Sequence, residues 1–359
     1  MKIVFFHGSM QSGGIERTIS LLSNLYCKQG DMVTIVTLDY LESFYFLLPP
    51  VNQIHLDLVQ PSHGLTQAMR NNWRRIRGLR AALSASQPDV LISFGANTEF
   101  MAFLAKWGMG FKLVGAEQTN PYLSTAGFWN HSKRIISTLC DGFIFQTKEA
   151  ARYYPVNTQK KSIIFQNGLI AQDFQLEDRP WEDRRHICAV GRMDVDKCFD
   201  ELLTAFAKAH GQHPDVRLDL YGDGPLRAEL EALSARFGLQ ACVVFHGRCS
   251  TMPTEYAKHK LFAMASRKEG LPNVLMEALA SGCACVAANC DFGPSELIRD
   301  GENGFLVPVH DPDAMADRLC RLLEDDSLCQ RFSQAAVSIR QTHDIENIGV
   351  TFRTFIEKL

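Results

Sequence analysis

The feature that most constrains this chain is a repeated alternation of short apolar runs with amphipathic helical segments. The runs are rich in Val, Ile and Phe, as expected for strands buried on both faces of a parallel sheet. The first two runs enclose a helical pattern over Arg17–Lys28, which predicts a right-handed strand–helix–strand crossover. In the first half, the predicted strands are Lys2–Phe6, Val33–Thr37, Ile54–Leu58, Val90–Phe94, Lys112–Gly115, Phe143–Gln146 and Ser162–Gln166.

The same alternation restarts after a polar segment, Ala171–Arg185, which is acidic, contains Pro180 and is typical of a linker. We therefore predict an α/β protein with two doubly wound Rossmann-like domains that face each other across a cleft. The predicted strands of the second half are His186–Val190, Arg217–Tyr221, Val243–His246, Leu261–Ala265, Cys285–Ala288 and Phe305–Val307. The predicted parts are domains over 1–172 and 186–338, a linker over 173–185, and a C-terminal helical segment over 339–359 that returns to the first domain.

Composition supports this architecture and excludes other classes. The 359 residues suit two domains of ordinary size, and 46% hydrophobic with 21% charged residues exclude disordered, collagen-like and disulfide-scaffold proteins. No apolar run approaches the roughly 18 residues of a membrane-spanning helix, and Met1–Gly8 resembles a core strand rather than a signal peptide. The eleven cysteines include no CxxC pair, and the cluster of Cys283, Cys285 and Cys290 lacks a fourth zinc ligand, so buried free thiols are predicted. These observations predict a cytoplasmic protein.

Charge is distributed unevenly along the chain. Residues 1–175 contain 16 Lys and Arg against 11 Asp and Glu, whereas residues 176–359 contain 21 against 29. Between Asp57 and Asp89 there are five arginines and no acid. A basic first half indicates an anionic partner, and nucleic acid is not favoured because no recognised binding module is present.

Three of these arginines, Arg70, Arg74 and Arg77, fall on one helical stripe. The stripe lies beside Met69, Trp73 and Ile76. A basic stripe with an interfacial Trp is typical of a helix that lies on anionic lipid. The alternative is a solvated face whose apolar side packs on the domain.

Two loops that follow predicted strands have the composition of anion sites. Gly13 and Gly14 precede the first helix, where glycines permit close backbone approach and the helix N-terminus presents N–H groups; a plain tight turn is the alternative. Arg192 and Lys197 lie five residues apart in the loop after the first strand of the second domain. Two such cations can hold a diphosphate from two sides, or they are solvated surface charges.

The segment from Glu269 to Glu277 is the most informative motif. Glu269 ends a strand, and a helix is predicted to begin near Leu271 with Pro272 in its first turn. The N–H groups of Asn273, Val274 and Leu275 would then lie near the helix N-terminus, which suits a phosphate. Glu277 is surrounded by apolar residues and needs a partner if buried; a ribose diol or an arginine from the next helix would supply one.

These motifs together resemble the retaining glycosyltransferases of family 4, which have the GT-B fold. The resemblance covers essentially the whole chain. The motifs that carry it are Gly13-Gly14-x-Glu16-Arg17, Gly191-Arg192 with Lys197, Gly222-Asp223-Gly224, the Glu269…Glu277 pair, Gly293–Ile298 and Asp300–Val307. In that family the second domain binds a sugar nucleotide and the first binds the acceptor.

The resemblance implies a role for each matching residue. Arg192 and Lys197 would neutralise the donor diphosphate, Glu277 would bind the ribose hydroxyls, and Glu269 would hold the transferred sugar and support oxocarbenium charge. Gly14 would offer its N–H to the distal phosphate. The resemblance implies no cofactor and no metal, because fixed cations and a helix dipole neutralise the phosphates.

One position departs from the family pattern. Many relatives have a His directly after the acidic residue that ends the fifth strand, but here Glu117 is followed by Gln118. Because Gln118 cannot act as a base, it could contribute only hydrogen bonds, which favours front-face substitution over double displacement. Structural packing of Glu117 and Gln118 is the alternative.

The sequence therefore predicts a cytosolic, peripherally membrane-associated retaining glycosyltransferase. It would transfer a hexose or N-acetylhexosamine from a nucleotide sugar, with UDP expected, to a glycan on a polyprenyl pyrophosphate carrier. Bacterial surface polysaccharide assembly is the expected setting. Two alternatives stay open: a sugar-nucleotide epimerase of the same fold, and a non-catalytic nucleotide-sugar-binding protein.

Overall fold

The computed structural model describes residues 1–11, 13–61, 63–118, 121–123, 127–174 and 184–359, with residues 123 and 127–131 described by their backbone alone. It divides into unit 1, Met1–Gly168 with Ile345–Leu359, and unit 2, Leu169–Asp344. Most of the predicted linker, residues 175–183, lies outside the described residues. The division places residues 169–172 and 339–344 in unit 2, whereas we expected the first four in the first domain and the others in the returning segment.

Unit 1 is built on a seven-stranded parallel sheet with strand order β3-β2-β1-β4-β5-β6-β7. Its strands are β1 (Lys2–His7), β2 (Met32–Thr37), β3 (Asn52–His55), β4 (Val90–Phe94), β5 (Lys112–Glu117), β6 (Gly142–Phe145) and β7 (Ser162–Ile164). Between them lie α1 (Gly14–Lys28), α2 (Leu65–Ser86), α3 (Ala96–Ala105), α4 (Gly127–Leu139), α5 (Lys148–Arg152) and α6 (Val156–Gln159), with a 3₁₀ turn at Pro121–Leu123.

Unit 2 repeats the pattern on a six-stranded parallel sheet with order β10-β9-β8-β11-β12-β13. Its strands are β8 (Arg185–Val190), β9 (Leu218–Tyr221), β10 (Val243–Gly247), β11 (His259–Met264), β12 (Ala284–Ala288) and β13 (Gly304–Val307). After a 3₁₀ turn at Ala171–Phe174, its helices are α7 (Phe199–Gln212), α8 (Arg227–Arg236), α9 (Met252–Tyr256), α10 (Asn273–Ala280), α11 (Pro294–Leu297), α12 (Pro312–Glu324), α13 (Asp326–Ala336) and α14 (Ile339–Thr342). The reversal of strand order on either side of β1 and β8 confirms the prediction of two doubly wound, Rossmann-like units.

The final helix, α15 (Ile345–Glu357), belongs to unit 1 and packs against α1. Phe352 stacks on Tyr26, whose hydroxyl donates to the carbonyl oxygen of Gly349. A Cβ at Gly349 would lie 2.1 Å from Cδ2 of Leu25, so a larger residue there would require the Leu25 side chain to shift. The last helix therefore completes the first unit.

The connections of unit 1 assign its helices to two layers. The crossovers from β3 to β4, β4 to β5 and β5 to β6 all run in one direction along the sheet, so α2, α3 and α4 lie on one face. The crossover from β1 to β2 runs the other way, which puts α1 on the opposite face with α15. Contacts of α3 with α2 and with α4 agree with this arrangement.

All thirteen predicted strands are present, with most ends shifted by one or two residues. The largest shift is in the third strand, predicted at Ile54–Leu58 but observed at Asn52–His55. Its pairing to Thr34–Thr37 of β2 fixes the register, and the apolar residues Leu56 and Leu58 follow in the loop. The cysteines of the described residues are free, and Cys283, Cys285 and Cys290 are buried as predicted. Within the described residues, no helix has the length and apolar character needed to cross a membrane.

Candidate active site

In unit 2, the loops after β8 and β9 are packed backbone against backbone. The N–H of Met193 donates to the carbonyl oxygen of Asp223 at 3.0 Å. A Cβ at Gly222, where φ is +125°, would lie 1.9 Å from the carbonyl oxygen of Gly191, and a Cβ at Gly224 would lie 2.4 Å from that of Met193. Glycine at both positions is therefore what allows the two loops to touch.

Lys197 and Glu269, predicted separately as diphosphate and sugar ligands, form one pair. The Nζ of Lys197 donates to Oε1 of Glu269 at 2.6 Å, and the Glu269 side chain is only 9% exposed. The two residues follow β8 and β11, neighbouring strands at which the strand order reverses. Open α/β sheets bind ligands at this edge. Arg192 lies in the same loop as Lys197, but its side chain is 73% exposed and its Nε is 3.8 Å from Oδ2 of Asp194.

The helix start after Glu269 differs in detail from the prediction. Helix α10 begins at Asn273, and Pro272 is its N-cap rather than a residue of its first turn. The N–H groups of Leu275 and Met276 donate to the carbonyl oxygen of Pro272 at 3.2 and 3.1 Å, so Leu275 is already satisfied within the helix. Among the described residues, the N–H of Val274 has no acceptor, which leaves it as a donor for an anion at this N-terminus.

Glu277 is buried within α10, as its apolar neighbours predicted. The segment after β12 approaches the loop after Glu269, because a Cβ at Gly293 would lie 1.9 Å from the carbonyl oxygen of Gly270. Burial, with a contribution from the charge of Glu269, raises the pKa of Cys290 to about 11. The structure thus gathers the loops after β8, β9, β11 and β12 at one edge of the sheet.

A buried polar network that the sequence did not predict joins β9 to its neighbouring segments. Asp219, inside β9, accepts hydrogen bonds from His246 Nε2 at 2.5 Å and His259 Nε2 at 3.1 Å. Burial alone would raise the pKa of Asp219, but the bonds from both imidazoles outweigh it and hold that pKa well below its usual range. Tyr221, at the end of β9, stacks on the His246 ring and donates to Glu255. Three separate segments are joined in this way.

In unit 1, the glycine turn before α1 is held by a tyrosine. The hydroxyl of Tyr45 donates to the carbonyl oxygen of Gly13 at 2.9 Å and accepts from the Gly13 N–H at 3.3 Å. Tyr45 therefore fixes the backbone of Gly13, and the role of Gly13 as a phosphate ligand stays a prediction. Gly14, the first residue of α1, has no acceptor for its N–H among the described residues. Ser12 lies outside the described residues.

At the end of β5, Glu117 and Gln118 have different surroundings. Glu117 accepts from Lys133 Nζ at 3.1 Å and from the Tyr154 hydroxyl at 2.7 Å, which indicates a structural role. Gln118 is 7% exposed, and neither its amide nitrogen nor its amide oxygen has a partner among the described residues. A buried amide without partners is costly, so Gln118 is a candidate for ligand binding, and both that role and packing stay predictions. Its neighbours Thr119 and Asn120 lie outside the described residues.

Glu99, which lies beside this pair, was not predicted from the sequence. Glu99 is fully buried on α3, where Oε1 accepts from the Ala116 N–H at 3.1 Å. Burial raises its pKa to about 8, and the neighbouring charge of Glu117 acts in the same direction. Only the tertiary structure brings these two carboxyl groups together.

The predicted basic helix is α2, and its stripe faces solvent. Arg70, Arg74 and Arg77 are exposed, and so are Met69 at 73% and Trp73 at 62%. Met69 and Trp73 therefore do not pack on the domain, whereas Ile76 is half-buried, and the choice between a lipid-binding stripe and a solvated one stays open. The residues of α2 that are buried lie on its other side and are Asn71, Leu79, Ala82 and Leu83.

One cluster has the composition of a metal site. The ligand atoms of Cys198, Glu201 and His310 lie within 4.8 Å of one another, and His310 Nδ1 is 2.6 Å from Glu201 Oε1. It is the one group of three such side chains found among the described residues. A thiol, a carboxylate and an imidazole suit zinc, although the hydrogen bond between His310 and Glu201 and a thiol bond to the Val195 carbonyl oxygen also satisfy the three groups.

Two family models match this chain in sequence. The model described as "Glycosyl transferase 4-like domain" matches residues 13–154, and that described as "Glycosyl transferases group 1" matches residues 184–325.

Two transferases of Campylobacter jejuni resemble the chain over nearly their whole length. The N-acetylgalactosamine-N,N'-diacetylbacillosaminyl-diphospho-undecaprenol 4-alpha-N-acetylgalactosaminyltransferase is 34% identical over 367 residues, 96% of each chain. The GalNAc-alpha-(1->4)-GalNAc-alpha-(1->3)-diNAcBac-PP-undecaprenol alpha-1,4-N-acetyl-D-galactosaminyltransferase is 28% identical over 328 residues, 91% of this chain and 90% of that one.

Among solved structures, Anabaena HepE in complex with UDP and glucose superposes with a TM-score of 0.82 over 100% of both chains, at 18% identity. The sucrose-phosphate synthase of Thermosynechococcus elongatus gives the same TM-score over 99% of this chain and 98% of that one, at 17% identity. At these identities the two structures establish the fold alone.

Proposed function

Since this chain belongs to the family 4 glycosyltransferases, which have the GT-B fold, we propose a specific reaction for it. The enzyme transfers a hexose or an N-acetylhexosamine from a UDP-sugar to a glycan on a polyprenyl pyrophosphate carrier, with retention of anomeric configuration. The acceptor class rests on the two Campylobacter relatives, whose names specify undecaprenol-linked glycans. The UDP donor rests on the sequence resemblance and on HepE, which was solved with UDP and glucose.

The observation that carries the proposal is the pair of Lys197 and Glu269 at the strand-order reversal of unit 2. An ammonium has three donors, so Lys197 can keep its bond to Glu269 and still bind a phosphate oxygen of the donor. Arg192 supplies a second, exposed cation, and the free N–H of Val274 adds a dipole at the start of α10. These groups neutralise the diphosphate in place of a metal ion.

The remaining donor contacts follow from the acids of the same segment. Glu277, buried in α10, accepts hydrogen bonds from the ribose hydroxyls. Glu269, fixed by Lys197, accepts from hydroxyls of the transferred sugar and stabilises positive charge that develops on it. For Gly14, the first residue of α1, the family resemblance implies an N–H that binds a phosphate.

Retention is proposed to occur by front-face substitution. The bond between the anomeric carbon and the phosphate oxygen breaks, and the acceptor oxygen bonds to that carbon on the same face. The acceptor proton passes to the departing phosphate oxygen, so no protein base is consumed. Gln118, whose amide has a free donor and a free acceptor among the described residues, binds reactant hydroxyls but cannot form a glycosyl intermediate.

The arginine stripe of α2 is proposed to face the membrane that carries the polyprenyl-linked acceptor. Arg70, Arg74 and Arg77 are exposed beside Trp73, and the helix contains no acid to pair with them. They bind anionic headgroups or the acceptor pyrophosphate, which would hold the enzyme at the inner face of the cell membrane.

The decisive experiment measures UDP release with and without a lipid-linked acceptor, together with the anomeric configuration of the product by NMR. Release that depends on the acceptor, with a retained configuration, supports the proposal. Release without an acceptor indicates the epimerase alternative, and binding without release indicates a non-catalytic protein. An inverted product would contradict the front-face mechanism.

A matched pair of variants tests the donor site. Glu277→Ala is expected to weaken donor recognition by about 1.5–3 kcal/mol, the range for hydrogen bonds to a charged group. Glu229→Ala, which removes an exposed glutamate of α8, is the control and should leave donor kinetics unchanged. Unchanged donor kinetics in Glu277→Ala would exclude the ribose assignment.

A further inference from the structure

Helices α2, α3 and α4 form one layer, and α3 carries an exposed apolar stripe in addition to the arginine stripe of α2. Phe100 and Leu104 on α3 and Trp107 just beyond its end are all exposed, and Trp107 is 81% exposed. Their spacing of i, i+4 and i+7 places them on one side of the helix. The other side of α3 is buried and includes Met101, Ala102 and Ala105. The fold of unit 1 therefore buries one face of α3 and leaves the opposite face, which is apolar, exposed to solvent.

This stripe is fixed beside the arginines of α2. Arg80 Nη1 donates to the carbonyl oxygens of Ala105 and Trp107, at 2.8 and 2.5 Å, and so ties the end of α3 to α2. On α2 itself, Leu65, Met69 and Trp73 form an exposed row at intervals of four residues. On the neighbouring α4, Ile135 and Leu139 are exposed at the same interval. Exposed apolar side chains thus extend over three adjacent helices, more than scattered surface residues would give.

The charges of this layer have one sign. The sequences 65–86, 96–105 and 127–139 contain seven Lys and Arg and a single acid, Glu99, which is buried. Among the described side chains of the three helices, the exposed charges are therefore all cationic and lie beside exposed apolar residues. A partner with the complementary properties offers a negatively charged plane with hydrocarbon beneath it, which describes the interface of an anionic bilayer.

We infer that the α2–α3–α4 layer is a bilayer-binding face in which Phe100, Leu104 and Trp107 insert into the interface while the α2 arginines contact headgroups. The inference deepens the proposed function, on which it rests for a membrane-borne acceptor. It assigns the two helices different physical roles. Arginine binding is screened by salt, whereas apolar insertion is not.

The test is co-sedimentation with vesicles of phosphatidylcholine, alone or mixed with phosphatidylglycerol, at low and high salt. The α3 variant Phe100→Gln/Leu104→Gln/Trp107→Gln should lose about tenfold or more in affinity for the mixed vesicles at both salt concentrations, since burial of one large apolar side chain contributes about that much. The α2 variant Arg70→Gln/Arg74→Gln/Arg77→Gln should lose on the order of a hundredfold at low salt and little at high salt. Glutamine keeps the helix propensity in both.

Two controls change exposed apolar residues elsewhere. Val350→Gln alters α15 on the opposite face of unit 1, and Phe237→Gln alters unit 2. Both should sediment like the wild type. If the triple variant does not fold, the single variant Trp107→Phe serves in its place. Brominated lipid should quench the tryptophan fluorescence of the wild type, and the variant should lack the part of this quenching that comes from Trp107.

Sedimentation of the α3 variant equal to that of the wild type would overturn the inference. Self-association through this face would also overturn the inference. It would be detected by sedimentation velocity as a wild-type dimer that is absent in the α3 variant, with vesicle binding unchanged. Transfer to a short water-soluble acceptor should be unaffected in the α3 variant. Loss of vesicle binding with intact soluble activity supports the inference, whereas vesicle binding in a chain without transfer activity would count against the proposed function alone.

Discussion

In unit 2, the strand-end loops hold one another through glycine-mediated backbone contacts and the pair of Lys197 and Glu269. The corresponding edge of unit 1 carries Gln118, whose amide has no partner among the described residues, and Glu99, whose pKa is raised to about 8. At this edge of unit 2 the buried Glu269 is paired with Lys197, whereas the buried amide of Gln118 in unit 1 has no partner among the described residues. If the proposed donor site is correct, its charged pair is preorganised by the fold, whereas Gln118 is left for a ligand to satisfy.

The backbone contact in unit 2 can be broken by one methyl group. Gly222→Ala combines a φ of +125° with a Cβ only 1.9 Å from the Gly191 carbonyl oxygen, so we expect a loss of about 3 kcal/mol in unfolding free energy. Urea denaturation measures it. Gly211→Ala, in α7 with open space around it, should instead stabilise by roughly 0.5–1 kcal/mol. Equal effects at the two sites would show that the loops are not locked together.

Loss of the lysine should act on turnover more than on donor binding. Lys197→Ala removes a cation that faces growing diphosphate charge and leaves Glu269 without this partner, so a fall in kcat on the order of a hundredfold is expected. Arg192→Ala should also lower kcat but by less, because its side chain is 73% exposed. The measurement is steady-state kinetics with varied donor. A change confined to the donor KM would remove the leaving-group role.

For unit 1, Glu99 predicts a pH effect of definite sign. Its folded pKa of about 8 exceeds the unfolded value, so its contribution to stability is fully present below the unfolded pKa and is lost as pH rises through about 8. In the wild type, Glu99 should lower the free energy of unfolding by on the order of 2 kcal/mol between pH 5 and pH 7. In Glu99→Gln this fall should be absent. Unfolding midpoints at several pH values measure this. A wild type and variant with parallel pH profiles would contradict the burial argument.

The smallest expected effect belongs to Gln118. Gln118→Met removes an amide without a partner among the described residues, so stability should stay constant or rise by about 1 kcal/mol, while transfer falls about tenfold through the lost hydrogen bonds. Thermal unfolding and activity are measured on the same preparation. A destabilised variant with normal activity would assign Gln118 to packing and remove the contrast between the two units.

The parts that sequence could predict are those that depend on local pattern. The strands are continuous apolar runs, and the glycines, Lys197 and Glu269 fall directly after them, so their placement at one sheet edge follows from parallel topology. The contact between Lys197 and Glu269 spans 72 positions, and sequence assigned the two residues separate roles. The contacts of Tyr45 with Gly13 and of Glu99 with Glu117 depend on how loops and helices pack. Sequence periodicity does not indicate such contacts.

The α3 stripe escaped prediction for a different reason. Phe100, Leu104 and Trp107 look like core residues in the sequence, because α3 is apolar on nearly all sides and its pattern does not say which face the sheet covers. The arginines of α2 were recognised because charge without nearby acids is visible in one dimension. Exposure of an apolar side chain becomes visible only once its neighbours are placed.

The return of α15 to unit 1 has a consequence for the order in which the molecule is made. Ribosomal synthesis proceeds from the N-terminus, so α1 emerges long before Gly349 and Phe352, the residues that cover Leu25 and Tyr26. All of unit 2 is synthesised in that interval, after the last strand of unit 1 and before the helix that completes unit 1. The nascent chain therefore carries an uncovered apolar strip on α1 during most of its elongation, a natural binding site for chaperones until the last helix closes it.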